Sequence, residues 1–95
     1  LNHYEIIVIL RGELQEKELE QEYAKVEETI NKNNGKVAKK EAWGKKKLAY
    51  EIEKSGEGFF FYAEFEAEPA SIRLLKNTFG LDNNILRVQI LSRDS

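Results

Sequence analysis

The stretch Lys45-Lys46-Lys47-Leu48-Ala49-Tyr50-Glu51-Ile52-Glu53-Lys54-Ser55-Gly56-Glu57-Gly58-Phe59-Phe60-Phe61-Tyr62-Ala63-Glu64-Phe65-Glu66 decides the fold. Two strand-like runs flank Lys54-Ser55-Gly56-Glu57-Gly58, a cluster of turn formers, and together they predict a β-hairpin in the middle of the chain. In the second run Phe59, Phe61, Ala63 and Phe65 alternate with Phe60, Tyr62, Glu64 and Glu66. Successive strand residues point to opposite faces, so the two glutamates assign the second set to an open face and send Phe61 and Phe65 to the core. The first run extends back to about Lys36, with Gly44 as a candidate bulge, because a glycine inside a strand pattern commonly marks one.

Upstream, Leu19, Tyr23, Val26 and Ile30 recur at four, three and four within Leu14 to Lys32, the apolar stripe of an amphipathic helix. Its glutamates are expected on the solvated opposite face, and Asn33-Asn34-Gly35 stops it. Before the helix, His3 to Leu10 is rich in β-branched residues and reads as a central strand, with Tyr4, Ile6, Val8 and Leu10 on the core face and Gly12 ending it. Downstream, Pro69 opens a second helix, Ile72, Leu75 and Phe79 form its stripe, and Gly80 closes it. A last strand spans 85–91, with Val88 and Ile90 on one face and Arg87 and Gln89 on the other.

The order strand, helix, strand, strand, helix, strand is the split β-α-β arrangement. It predicts an α+β, ferredoxin-like β-α-β-β-α-β fold, a four-stranded antiparallel sheet with two helices on one face. Ile7, Ile9, Phe60, Tyr62 and Leu91 then fall on the other face, which is too apolar for plain solvent and calls for something to cover it.

Ninety-five residues make one domain, 1–95, and 41% apolar with 34% charged residues is the balance of a soluble globular chain. No run of 18 apolar residues is present to span a membrane, and the apolar start at Ile6 to Leu10 is too short and lacks a basic leader for secretion. The absence of cysteine excludes disulfides, thiolate metal sites and thiol nucleophiles. His3 is the sole histidine, and neither phosphate-binding glycine loop is present. No catalytic residue, metal, cofactor or small-molecule substrate is therefore expected.

The net charge of −2 conceals segregation. From Lys32 to Lys47 seven lysines face the single acid Glu41, whereas from Glu13 to Glu28 seven acids face Lys17 and Lys25. Such blocks suit docking on a polyanion in one orientation. Lysines on a strand also protect an exposed edge from pairing with other chains, so the triplet Lys45 to Lys47 has a second reading. Trp43 and Tyr50 beside it, as possible stacking or packing groups, favour RNA. Three consecutive strand lysines cannot share one flat surface and must straddle a backbone or line a groove. Glu57 to Glu64 matches the aromatic octamer of RNA-recognition-motif domains at Gly58, Phe59 and Phe61 but departs at Glu57, Phe60, Tyr62 and Glu64. Base stacking on a single strand is thus an alternative on the same fold, and an enzyme or ligand-sensing domain a third, since fold alone fixes no function.

Tyr4-Glu5-Ile6, the block from Trp43 to Tyr50 followed by Ile52, Gly58-Phe59, and Leu81-Asp82-Asn83-Asn84-Ile85-Leu86-Arg87 resemble, in order and spacing, the motifs of the bacterial-type small-subunit ribosomal protein six family. The resemblance covers nearly the whole chain; Glu51 departs from it, where the family usually has proline. It implies a structural, non-enzymatic constituent of the small ribosomal subunit. Such a protein binds the central domain of small-subunit ribosomal RNA together with ribosomal protein eighteen, in the cytoplasm or on an organellar ribosome. Carried over by position, Lys45, Lys46, Lys47 and Arg87 are the expected RNA contacts. The sheet geometry, independently of the resemblance, nominates Ile7, Phe60, Tyr62 and Leu91 as the protein-partner face.

Overall fold

Strand β1 (Asn2–Arg11) runs through the middle of a four-stranded sheet in the computed structural model, which describes residues 2–52 and 54–93. Helix α1 (Glu16–Lys32) follows, then β2 (Lys36–Ile52), β3 (Ser55–Ala67), helix α2 (Pro69–Gly80) and β4 (Ile85–Ser92). The sheet order is β2-β3-β1-β4 and every neighbouring pair is antiparallel. This is the ferredoxin-like α+β fold. No helix among the described residues is long and apolar enough to cross a membrane.

The alternation in β1 and β3 sorts the side chains as expected. Tyr4, Ile6, Val8 and Leu10 are buried, as are Phe61, Ala63, Phe65 and Ala67 opposite them, and the ladder pairs Val8 with Phe61 and Tyr4 with Phe65. Leu19, Val26 and Ile30 of α1, with Leu75 and Phe79 of α2, complete that core. Phe61 stacks on Tyr23 at 4.5 Å between centroids and Phe65 on Tyr4 at 5.6 Å, within the range where ring pairs add to area burial. Glu18 Oε1 accepts the Gln15 N–H at 2.9 Å at the start of α1, and Asn34 adopts φ 64° just past its end. Ser71 Oγ donates to the Asn33 carbonyl at 2.9 Å, tying α2 to the end of α1.

Two boundaries differ from the sequence reading. Helix α1 begins at Glu16 rather than Leu14, and β3 begins at Ser55, so the glycines at 56 and 58 lie inside a strand and not in the turn. The reason is spatial at Gly58: a Cβ there would sit 2.7 Å from Ile9 Cγ2 and 3.0 Å from the Leu10 carbonyl oxygen, so glycine lets β3 pass close to β1. Strand β2 is bulged as anticipated. Its register against β3 shifts between Val37 and Lys39, between Ala42 and Gly44, and between Lys47 and Ile52, with Gly44 at φ +87°.

Candidate nucleic-acid interface

The last register shift shapes the site. Lys47 pairs with Glu57 and Ile52 with Ser55, so Leu48 to Glu51 stand opposite Gly56 alone. The surplus chain curls over the open face of the sheet. It forms a groove of roughly 190 Å³ lined by Ile9, Phe60, Arg87 and, from the arm itself, Lys47, Leu48 and Tyr50, among others. The face expected to be bare is thus partly roofed by its own hairpin, and Ile9 is only 9% exposed.

The lysine triplet straddles the strand. Lys45 pairs with Phe59 and its Nζ lies 5.1 Å from that ring's centroid, a cation–π contact on the helix side of the sheet. Lys46 pairs with Gly58 on the open side. Arg87, on the open face of β4, sits over the Tyr50 ring at 5.5 Å. Among the described residues Lys46, Lys47 and Arg87 form no ion pair, in contrast to Lys40 with Glu27 at 2.7 Å, Lys39 with Glu41 at 3.5 Å and Lys25 with Asp82 at 3.0 Å. Two of these unpaired cations, Lys47 and Arg87, therefore line one apolar groove.

The other end of the open face is acidic and hydrogen-bonded. The Tyr62 hydroxyl lies 2.6 Å from Glu64 Oε2 and 3.0 Å from Glu5 Oε2. The hydrogen bond to Glu64 is the leading cause that pushes the Tyr62 pKa far above its ordinary value, and the same bond holds the Glu64 carboxyl below its own. Arg93 bridges Glu64, and His3 Nε2 lies 3.1 Å from Glu66. Trp43 stacks on Tyr62 at 4.9 Å with rings 11° from parallel, and its Nε1–H donates to Glu41 at 3.0 Å, which lowers the Glu41 pKa.

Of the nominated partner residues, Leu91 is exposed, and Ile7, Phe60 and Tyr62 are half-buried. Ile7 and Tyr62 are ladder partners, whereas Phe60 belongs to the groove under the arm. The nominated cations divide in the same way, Lys47 and Arg87 lining the groove while Lys45 lies across the sheet.

One expectation about α1 is corrected. Glu22 does not lie on a solvated face: it is 7% exposed, and Asn84 Nδ2 donates to its Oε2 at 3.0 Å. Glu22 follows Leu19 by three residues and precedes Val26 by four, so it falls within the apolar stripe, and that spacing was the available signal.

The family model for ribosomal protein S6 matches residues 3–92. The small ribosomal subunit protein bS6 of Corynebacterium aurimucosum is 38% identical over 95 residues, covering 100% of this chain and 99% of that protein. The bS6 of Streptomyces griseus is 34% identical over 91 residues, 96% of this chain and 95% of the relative. In three dimensions the chain is similar to the crystal structure of 30S ribosomal protein S6 from Thermotoga maritima. The TM-score is 0.92 at 30% identity, covering 97% of this chain and 87% of that one.

Proposed function

The chain belongs to the ribosomal protein S6 family of the small ribosomal subunit, a family of structural proteins and not of enzymes, and from that membership we propose a two-sided assembly role. Lys45, Lys46, Lys47 and Arg87 contact phosphates in the central domain of small-subunit ribosomal RNA. The open sheet face around Ile7, Phe60, Tyr62 and Leu91 meets a protein, ribosomal protein eighteen of the small subunit. The bacterial organisms of the relatives favour a cytoplasmic ribosome over an organellar one.

The observation that carries the reading is that Lys47 and Arg87 line the Tyr50 groove, with Lys46 next along β2, and none of the three forms an ion pair among the described residues, while Lys25, Lys39 and Lys40 are each neutralised. Phosphates neutralised by such cations release counterions, and a shape-fitted surface sets register on folded RNA. The base-stacking alternative gains nothing, because Phe61 is buried and Phe59 lies beneath Lys45.

The test is the salt dependence of binding to the central-domain RNA, with the protein partner present. If each triplet lysine neutralises one phosphate, replacing all three by alanine reduces the slope of log K against log salt by about 2 to 3 units. An unchanged slope removes the triplet from the interface. Absence of the chain from small subunits purified at low salt overturns the whole proposal.

A further inference from the structure

Glu22 is a buried acid in a helix whose other glutamates are exposed or half-exposed, and its Oε1 is buried without a hydrogen-bond partner. The carboxylate of Asp82, in the α2–β4 turn, lies within hydrogen-bonding reach of it. Asp82 is itself well supplied with donors: Lys25 Nζ reaches Oδ2 at 3.0 Å and the Asn84 N–H reaches Oδ1 at 2.9 Å, and its side chain is only 6% exposed. Two ionised carboxylates in one half-dry site repel, whereas a single proton turns the idle oxygen of Glu22 into a donor and Asp82 into its acceptor. We propose that protonated Glu22 donates a hydrogen bond to the Asp82 carboxylate, so that one shared proton latches α1 to the α2–β4 turn.

The latch bears on the site because that turn sets the start of β4. Asp82 O accepts the Ile85 N–H at 3.1 Å, Asn84 O accepts the Arg11 N–H at 3.0 Å, and Asn83 O accepts Arg11 Nε at 2.7 Å. Arg87 and Leu91 follow on the same strand. The charged groups around Glu22 are Asp82 from the turn and Lys25 from its own helix; Arg11, at the end of β1, also bears on the turn and pairs with Glu13. Burial first, and then Asp82, raise the Glu22 pKa, with Asn84 and Lys25 opposing. Burial works against Asp82 ionising, but hydrogen bonds with Glu22, Asn84 and Lys25 prevail and hold its pKa down.

The sign follows. The folded chain keeps the Glu22 proton to higher pH than the unfolded chain does, so this contribution is complete below the ordinary glutamate range and is lost as pH rises through the elevated pKa. On the acid side, the Asp82 contribution is present above the ordinary aspartate pKa and is lost as pH falls through the depressed one.

Glu22→Gln tests the latch, since an amide keeps a donor toward Asp82 and an acceptor for Asn84 but cannot titrate. Urea unfolding of the full chain between pH 4 and 9 should show the wild type losing midpoint relative to the variant as pH rises, by the amount that Glu22 deprotonation accounts for. Parallel midpoints across the range overturn the proposal. Carbon-13 titration of the Glu22 side chain in the wild type decides independently of whether the variant folds: a carboxyl titrating above the ordinary range supports the latch, and an ordinary or lowered value overturns it.

Discussion

Adding one methyl group at each of three glycines of the hairpin should give three different outcomes, and the geometry fixes their signs. At Gly58 a new Cβ would lie 2.7 Å from Ile9 Cγ2 and 3.0 Å from a backbone oxygen. Carbons settle at about 3.5 to 4.0 Å, so Ile9 must retreat by about 0.8 Å or the strands must part. Ile9 is β-branched, held to few χ1 states and roofed by the arm, so it cannot swing into solvent. Overpacking of this kind costs about 1–3 kcal/mol, offset by about 0.4–1 kcal/mol from the stiffer unfolded chain. Gly58→Ala should therefore be less stable, by about 1.3 kcal/mol at the middle of these ranges, a fall in Tm of roughly 5–10 °C for a domain of this size. At Gly56 nothing lies within 4 Å of the added carbon and φ is not positive, so Gly56→Ala should be more stable by about 0.4–1 kcal/mol. Gly44 also has open space, but φ is +87°, and alanine there should lose about 1–2 kcal/mol through the backbone alone. Thermal and urea unfolding followed by circular dichroism measures all three. A Gly58→Ala chain as stable as the wild type, or a Gly56→Ala chain that loses as much as Gly58→Ala, would refute the close approach of β3 to β1.

Lys45 and Lys46 should separate in their effects. Lys45→Ala removes the contact with Phe59 and lowers stability by about 0.5–1 kcal/mol, whereas Lys46→Ala leaves stability unchanged while each lowers the RNA salt slope by about 0.7–0.9. Tyr62→Phe should act on both pH limbs. Without the hydroxyl the Glu64 pKa rises toward its ordinary value, so the stability that the wild type loses as pH falls through the depressed Glu64 pKa shrinks, as carbon-13 titration of Glu64 checks. Above pH 10.0, the ordinary tyrosine value, wild-type stability declines because unfolding releases the Tyr62 proton, and the variant should lack that part of the decline in alkaline unfolding. The acidic helix should also reveal itself at low salt. At 0.01 M the Debye length is about 30 Å, long enough for α1 to oppose the RNA, so the plot of log K against log salt should flatten there, and a straight line down to that concentration would count against it.

The alternation of β1 and β3 was readable because charge marked the open side: Glu64 and Glu66 could not share a face with Phe61 and Phe65, and one register slip would have reversed every residue. The helices were readable from their stripes, and their ends from Asn34 and Pro69. What resisted reading lay where local periodicity ends. Three register shifts in β2 break the parity on which side-chain direction depends, so the stacking of Trp43 on Tyr62 had no local signature. The curl of Leu48 to Glu51 over Ile9 is a mismatch between two strands and belongs to neither alone. Glu22 pairs with a turn some sixty positions away, and only its place between Leu19 and Val26 hinted that it was inside.

A mildly acidic chain meets a polyanion through where its charges stand, not through their sum. The ion pairs of Lys25, Lys39 and Lys40 remove cations from the α1 side and from the near end of β2, and the Tyr62 network keeps Glu5 and Glu64 bound to hydrogen donors at one end of the open face. On the open face, Lys46 of β2 and Arg87 of the opposite edge strand keep no ion pair among the described residues, and Arg87 sits over the Tyr50 ring. The helix layer lies on the far side of the sheet from Lys46 and Arg87 and is itself roughly 10 Å thick. At physiological salt the Debye length is about 8 Å, so most of the repulsion from α1 is screened before it reaches a phosphate on the open side. The same layering leaves acids and an exposed Leu91 side by side at the other end of the face, a chemistry suited to a basic protein segment with an apolar anchor and not to RNA. In the proposed reading one sheet face presents two partners with two different surfaces, and the surplus residues of β2, which form the groove between Lys47 and Arg87, are what divide it.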